Sequence, residues 1–437
     1  MCCYHNGLIL HLTKIWPAMY IHQITIALFY RGTEMVDNRR LIVSLADRVH
    51  QLHLPVFREI ATLADRCGAI NLGGGTPDFA APPKLKAAAN AAILADFNQY
   101  APSQGVERLR AGIAGRLQQV GGDFDPETEI TVCCGATEGM AATLLAVTNP
   151  GDEVIILEPA FTIYGPDVVL SGGKPVYVEL SLPNFRIERQ LLAAAWSPRT
   201  KAIIINSPHN PTGRVFDQDE LTIVADFCQK YGLLAITDEI YDEILFDGLT
   251  LPRLWNISGM RERTIVINGF SKTYSVTGWR LGYIAAPDYL TKGIRIAHNY
   301  LTISAAAPLQ QAAVEAVHFP ETYYQELKRD YQARRDLLLE GLEKLNIPCS
   351  IPQGGYFLLA DFSSIGWTDD VAFAKRLIET VGVAAIPLSG FYHTPPSNGQ
   401  IFLRFAFCKK TETLQTALQR LQNIKLMETN DRGMVYA

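Results

Sequence analysis

Thr264-Ile-Val-Ile-Asn-Gly-Phe-Ser-Lys-Thr-Tyr-Ser-Val-Thr-Gly-Trp-Arg-Leu-Gly-Tyr-Ile-Ala-Ala286 sets two apolar runs, residues 264–268 and 282–286, around a loop rich in Ser, Thr and Gly. Each run is too short for a helix and is apolar at consecutive positions, the pattern of a strand covered on both faces. The loop carries Lys272 and, eight residues on, Arg280. A lysine amine can condense with an aldehyde, and an arginine among small hydroxyl side chains can hold a phosphate by charge-assisted hydrogen bonds. The pair suits a phosphorylated aldehyde cofactor, pyridoxal 5′-phosphate (PLP), with Lys272 forming the Schiff base, although a lysine near glycines is, taken alone, usually a solvated loop residue.

Similar runs recur upstream at residues 129–134, 153–157, 175–179, 201–206 and 233–237, alternating with amphipathic stretches. This rhythm predicts an α/β fold with a mainly parallel, seven-stranded sheet and helices on both faces. After about Pro320 the pattern changes to a long charged helix (321–345), strand-like 356–361, helix-like 369–381, strand-like 383–387 and 401–407, and a last helix. The expected organisation is therefore a large PLP-binding domain over 84–320 and a smaller α+β domain over 321–437, with 35–83 packing against the latter. Residues 1–34 read as a dispensable extension or a product of upstream start assignment. Within them Lys14 and Pro17 interrupt the apolar stretch short of a membrane-spanning length.

The chain has 437 residues, 48% of them hydrophobic, a net charge of -5 and a pI near 6.0. Its basic residues are scattered, which argues against nucleic acid or an anionic membrane surface as a partner and for small molecules. Eight cysteines show no CxxC pair and no metal-ligand spacing with histidine, so no metal is expected. They read as reduced thiols of a cytoplasmic protein.

Ligands of open parallel sheets bind beyond the carboxyl ends of the strands, which makes the residues just after each run informative. Gly135-Ala136-Thr137 follows the first run and opens a helix, either as a phosphate cradle or as an ordinary cap. Asn206-Ser-Pro-His-Asn-Pro-Thr-Gly213 forms a tight loop presenting Asn210, although a plain turn would explain its Pro and Gly equally well. Asp238, at the end of an apolar strand, is costly there unless paired. The pyridinium nitrogen of PLP would be a partner, with Tyr241 donating to the phenolic oxygen; a helix cap is the alternative. Arg404 lies in the apolar stretch Phe402-Leu-Arg-Phe-Ala-Phe407 and on its own reads as a structural ion-pair residue.

With these segments in order, the chain resembles a class I aminotransferase of the fold-type I PLP enzymes over about residues 45 to 425. The resemblance rests on Asn71-Leu-Gly-Gly-Gly-Thr-Pro-Asp-Phe79, Tyr100 through Gly105, Gly135-Ala-Thr137, Asn210-Pro-Thr-Gly213, Asp238 with Tyr241, Lys272 with Arg280, and Arg404. It implies that Lys272 is the Schiff-base lysine and general acid/base, that Asp238 pairs with the pyridine nitrogen, and that Asn210 and Tyr241 bind the ring oxygen. Phe161 would stack on the ring. Ala136, Thr137, Ser271 and Arg280 would hold the phosphate. Arg404 would bind the substrate carboxylate beside the Gly75 backbone, and Tyr100 would reach the phosphate of a neighbouring subunit in a homodimer.

Within the class, Asn71–Phe79, Ile351-Pro-Gln-Gly-Gly-Tyr-Phe357 and Ala385-Ile-Pro-Leu-Ser-Gly-Phe-Tyr392 are most similar to the kynurenine, glutamine–phenylpyruvate and methionine branch. That branch implies a ping-pong transfer from a neutral or aromatic L-amino acid to a 2-oxo acid. Two positions depart from family patterns: Thr137, where kynurenine enzymes carry tyrosine, and Gly269, where many members carry serine. The bacterial aspartate aminotransferases are the nearest rival, but they place a substrate-binding lysine at Thr137. A cysteine-conjugate β-lyase would use the same site. A PLP-sensing transcription factor is disfavoured, because the segment before the match is short and apolar.

Overall fold

The computed structural model describes residues 46–52, 54–395 and 401–427; the expected extension, 1–34, lies outside them. Twelve strands are described: β1 (Ile70–Asn71), β2 (Ile130–Cys133), β3 (Glu153–Glu158), β4 (Lys174–Glu179), β5 (Thr200–Asn206), β6 (Leu234–Asp238), β7 (Thr264–Gly269), β8 (Gly282–Ala285), β9 (Phe357–Asp361), β10 (Val383–Ala384), β11 (Ile386–Pro387) and β12 (Phe402–Ala406). Seven of them form one sheet in the order β2-β8-β7-β6-β5-β3-β4. Only β8 runs antiparallel to its neighbours in that sheet. The connection from Gly269 to Gly282 contains no α-helix, only the short 3-10 turn Thr277–Trp279, which suits the reversal, because a parallel crossover is usually made by a helix.

The alternation inside β3 shows why its run is apolar throughout. Val154 and Ile156 pack with Met140 and Leu144 of the helix Ala136–Val147, whereas Ile155 and Leu157 join Leu221, Val224 and Cys228 of the helix Gln218–Tyr231. Each face is sealed by a helix. β4 departs from the expected two-sided burial: only Val178 is fully buried, and both end residues are exposed, because it is the edge strand. The helix Gln218–Tyr231 starts on a reciprocal capping box between Asp217 and Glu220 and stops at left-handed Gly232.

Beyond the long helix Glu321–Glu343, β11, β12 and β9 form an antiparallel three-stranded sheet, and β10 pairs in parallel with β1. The run expected over 383–387 is thus split into two strands that serve two sheets. Ala406 N–H donates to Leu72 O, so the glycine-rich segment after β1 is tied to the end of β12. No described helix is long and apolar enough to cross a membrane. The six cysteines among the described residues are free thiols, three of them buried.

Candidate active site

Every residue expected in the site except Tyr100 lines one cavity of about 230 Å³ at the carboxyl ends of β5 and β6. Tyr100 lies on the surface, 81% exposed. The cavity also takes in Phe57, Thr76, Ile163, Tyr164, Asn206, Ile240 and Phe357, none of which the sequence reading singled out for the site.

Asn206, the last residue of β5, organises the back of the cavity. Its side-chain amide donates to Asp238 O at 2.9 Å and its Oδ1 accepts Asn210 N–H at 2.8 Å, locking the 206–213 loop to the end of β6. Asp238 is 5% exposed. Its Oδ2 accepts the Tyr164 hydroxyl at 2.7 Å and its Oδ1 accepts Ile240 N–H at 3.2 Å. Burial raises the pKa of this carboxyl, and Tyr164, Ile240 and Lys272 oppose the rise. The carboxylate therefore helps its strand little and is held for use by another group. No helix begins at Asp238, so the capping alternative does not apply.

Lys272 sits in the turn after β7, its Nζ 5.7 Å from the ring centre of Tyr356 and 5.9 Å from that of Tyr241. Burial lowers its pKa to about 8, with Arg280 and Arg404 pushing the same way and Cys408 and Asp238 opposing. The free amine is therefore far more accessible near neutral pH than in an ordinary lysine, and reaches half the population near pH 8. Arg280 adopts a left-handed conformation, φ 50°, and donates to Thr277 O. A Cβ on Gly135, whose φ is +84°, would lie 2.6 Å from the Arg280 guanidinium. Glycine there lets Arg280 reach the start of the helix Ala136–Val147, where backbone N–H groups favour an anion.

Gly269 has a different reason. A Cβ would meet the Gly282 Cα and the Leu281 carbonyl at 2.9 Å, so the close β7–β8 approach excludes serine there. Ser271 lines the cavity instead.

Arg404 corrects its stand-alone reading. It is 2% exposed, yet no carboxylate pairs with it among the described residues. It donates to Asn210 Oδ1 and to Gly73 O, both at 2.7 Å, and its Nε is buried without a partner. Its guanidinium stacks on Phe357 at 3.9 Å, with Phe391 and Phe57 at 4.8 and 5.1 Å. Burial lowers its pKa to about 10. An uncompensated buried cation framed by aromatic rings calls for an anionic ligand. The neighbouring glycine segment is fixed around it: Asn71 Oδ1 accepts the N–H groups of Gly73 and Gly74, and Tyr356 donates to Gly75 O at 2.7 Å.

The cavity thus offers an anion cradle at the helix start, a buried carboxylate at the end of β6, an amine of lowered pKa and a second guanidinium. These residues fit PLP, with the cradle for its phosphate and Asp238 for its ring nitrogen.

Comparison with known proteins agrees with this geometry. A family profile described as aminotransferase class I and II matches residues 68–421. A probable N-succinyldiaminopimelate aminotransferase of Mycobacterium tuberculosis is 41% identical over 379 residues, which cover 84% of this chain and 95% of that protein. The solved structure of that M. tuberculosis enzyme superposes with a TM-score of 0.84 and 40% identity, covering 87% of this chain and 99% of the other. The methionine aminotransferase of Escherichia coli is 36% identical, covering 86% and 97%. The kynurenine–oxoglutarate transaminase of Dictyostelium discoideum is 36% identical, covering 85% and 94%.

Proposed function

Because this chain belongs to the class I and II aminotransferases and is a PLP-dependent transaminase, we propose that it moves the amino group of a neutral or aromatic L-amino acid to a 2-oxo acid in ping-pong fashion. The observation that carries the reading is the balance of the cavity lining. Among the described residues its cations are Lys272, Arg280 and Arg404, and the surfaces around Arg404 are Phe57, Phe357 and Phe391. With Lys272 for the aldehyde, Arg280 for the phosphate and Arg404 for the α-carboxylate, no cation of this lining is left for a second carboxylate on the donor.

Bound PLP supplies an electron-withdrawing ring that weakens the bond between the donor's α-carbon and hydrogen. In this proposal Asp238 keeps the ring nitrogen protonated, and Tyr164 holds Asp238 ionised for that purpose. Asn210 offers its amide N–H to the ring oxygen because its Oδ1 is occupied by Arg404, and Tyr241 donates from the other side. Phe161 stacks on the ring. Arg280, Ala136, Thr137 and Ser271 hold the phosphate. Arg404 grips the donor carboxylate against the Gly75 segment, which fixes the α-carbon for the proton transfer. Lys272 Nζ is the group that would accept and hand back the donor's α-proton, a role its lowered pKa supports.

The active form in this reading is a cytoplasmic homodimer. Support comes from the exposed Tyr100 and its apolar neighbours Leu94 and Phe97, 75% and 47% exposed, and from the free thiols.

Titration of the PLP-loaded protein with single amino acids, followed by its visible spectrum and by the keto acid released, tests the proposal. Conversion to the pyridoxamine form by methionine, glutamine, kynurenine or phenylalanine is the expected result. Conversion by aspartate or N-succinyl-diaminopimelate alone overturns it, and pyruvate with ammonia but no pyridoxamine form makes the protein a lyase.

A further inference from the structure

One buried acid lies beside the cavity without entering the mechanism above. Glu158, the last residue of β3, is 6% exposed, and its carboxylate accepts the backbone N–H of His393. Two residues on, Ala160 N–H donates to Phe391 O at 2.7 Å. These two bonds bridge the end of β3 to the loop that follows the short helix Leu388–Phe391. The His393 ring completes the bridge, stacking on Tyr177 of β4 with centroids 4.5 Å apart and planes 10° apart.

Each side of this bridge leads to residues of the donor pocket. Phe161, next to Ala160, lines the cavity. Phe391, on the other side, packs edge-on against Phe57 at 5.0 Å and lies 4.8 Å from the Arg404 guanidinium. Phe391 is thus in contact with both the Phe57 ring and the Arg404 guanidinium. The loop's other tether is Ser389, whose N–H and hydroxyl both donate to Asp370, within the same C-terminal region. The link from this loop to the end of β3 runs through Glu158 and Ala160.

We propose that Glu158 is a positioning residue for the aromatic wall of the donor pocket: by holding His393 N–H it fixes Phe391 against Phe57 and Arg404, and so favours donors with bulky apolar side chains. The inference rests on the neutral and aromatic donor reading.

The latch is tuned by its surroundings. Burial raises the Glu158 carboxyl to about 7, with Glu179 adding to the rise and the His393 N–H opposing it. Glu179 is its register partner on β4. The other titratable groups facing it are Tyr177 of β4, pushed up to about 12 by burial and then by Glu158, and Tyr392 of the loop, also raised by burial. His209, whose ring meets the Pro159 carbonyl, is held neutral by burial, its pKa lowered to about 3. Glu158 is thus ionised, and its bond to the N–H charge-assisted, above about pH 7. The grip loosens as pH falls below that value.

Two measurements on the PLP-loaded enzyme test the proposal. Steady-state rates compare phenylalanine with alanine as donor in wild type, Glu158→Gln and Glu158→Ala, from pH 6 to 8.5. Losing a hydrogen bond to a charged acceptor is expected to raise the KM for phenylalanine roughly tenfold in Glu158→Ala, with kcat and the KM for alanine changed less than about twofold. Glu158→Gln should restore part of the binding and abolish the fall of that KM between pH 6 and 8. His393→Gln keeps the backbone N–H, so its pH dependence should survive. Equal KM increases for both donors, or a loss confined to kcat, overturns the proposal.

The second measurement needs no donor. Backbone amide exchange over residues 388–395 should quicken in both Glu158 variants, and unchanged exchange overturns the latch. If wild type accepts neither phenylalanine nor methionine, the donor reading fails by itself, and the exchange result still decides on Glu158.

Discussion

Replacing Arg404 with lysine tests the cavity reading most directly. The guanidinium makes two 2.7 Å bonds, to Asn210 Oδ1 and Gly73 O, lies 3.9 Å from the Phe357 ring centre, and keeps Nε free. A lysine ammonium cannot keep that fork and also reach a donor carboxylate. At about 1.5–3 kcal/mol for each hydrogen bond to a charged group, losing the two-pronged grip costs about 3–6 kcal/mol. In kcat/KM this is a fall of roughly 10²- to 10⁴-fold. Most of it should appear in KM, because the carboxylate is held equally before and during proton transfer. The assay is methionine and 2-oxoglutarate turnover, with the visible absorption of bound PLP as the control, since the proposed phosphate cradle lies at Arg280 and the helix start. Stoichiometric PLP with less than about a tenfold loss of kcat/KM would refute the assignment.

Lys272→Ala should lose turnover altogether; multiple turnovers without added amine would sink its role. Capture of PLP by the apoprotein needs the free amine, so its rate should climb from pH 7 and level off above the Lys272 value of about 8; a flat profile contradicts the lowered pKa. The same shift gives a stability sign. Between about 8 and the usual 10.5 only the unfolded chain holds this proton, so this lysine makes apoprotein stability rise with pH there. Tyr164→Phe removes the hydroxyl donor to Asp238 and should weaken PLP binding by roughly 10- to 100-fold in equilibrium dialysis; unchanged affinity would reduce Tyr164 to packing. Gly269→Ser should destabilise the protein by about 1–3 kcal/mol in denaturant melts, because its Cβ has only the β8 backbone to displace.

Much of this site was legible because of one regularity. Strands buried on both faces appear as apolar runs, and the residues just after them must face the ligand crevice. Asn210, Asp238 and the Lys272 loop follow from that rule, and the observed ends of β5, β6 and β7 fall within a residue of the expected ones. The edge strand β4 was the exception, since its exposed ends carry no functional signal. Phe57 and Phe391 could not be read, because they reach the pocket only through the packing of the helix Val56–Cys67 against the C-terminal region. Tyr164 had a weak local signal, an aromatic three residues after Phe161 at the start of a helix. Its hydroxyl became meaningful only once β3 and β6 were brought to the same end of the sheet.

Arg404 shows how structure changes the meaning of a residue that sequence had already found. A buried arginine is usually half of an ion pair, and on the chain alone that was the better reading. The lining contains three cations and, in Asp238, one anion. Asp238 is engaged by Tyr164 and Ile240 rather than by Arg404. A fold that leaves a guanidinium buried with a free Nε accepts a desolvation cost that the protein groups around it do not return. In the proposed function the compensation arrives with the ligands: a phosphate at the helix start and a carboxylate at Arg404. Once both are in place the positive excess is used up, and what remains beside Arg404 is aromatic and aliphatic surface. By this balance the enzyme would favour apolar donor side chains, and a second carboxylate would need a cation from outside this lining.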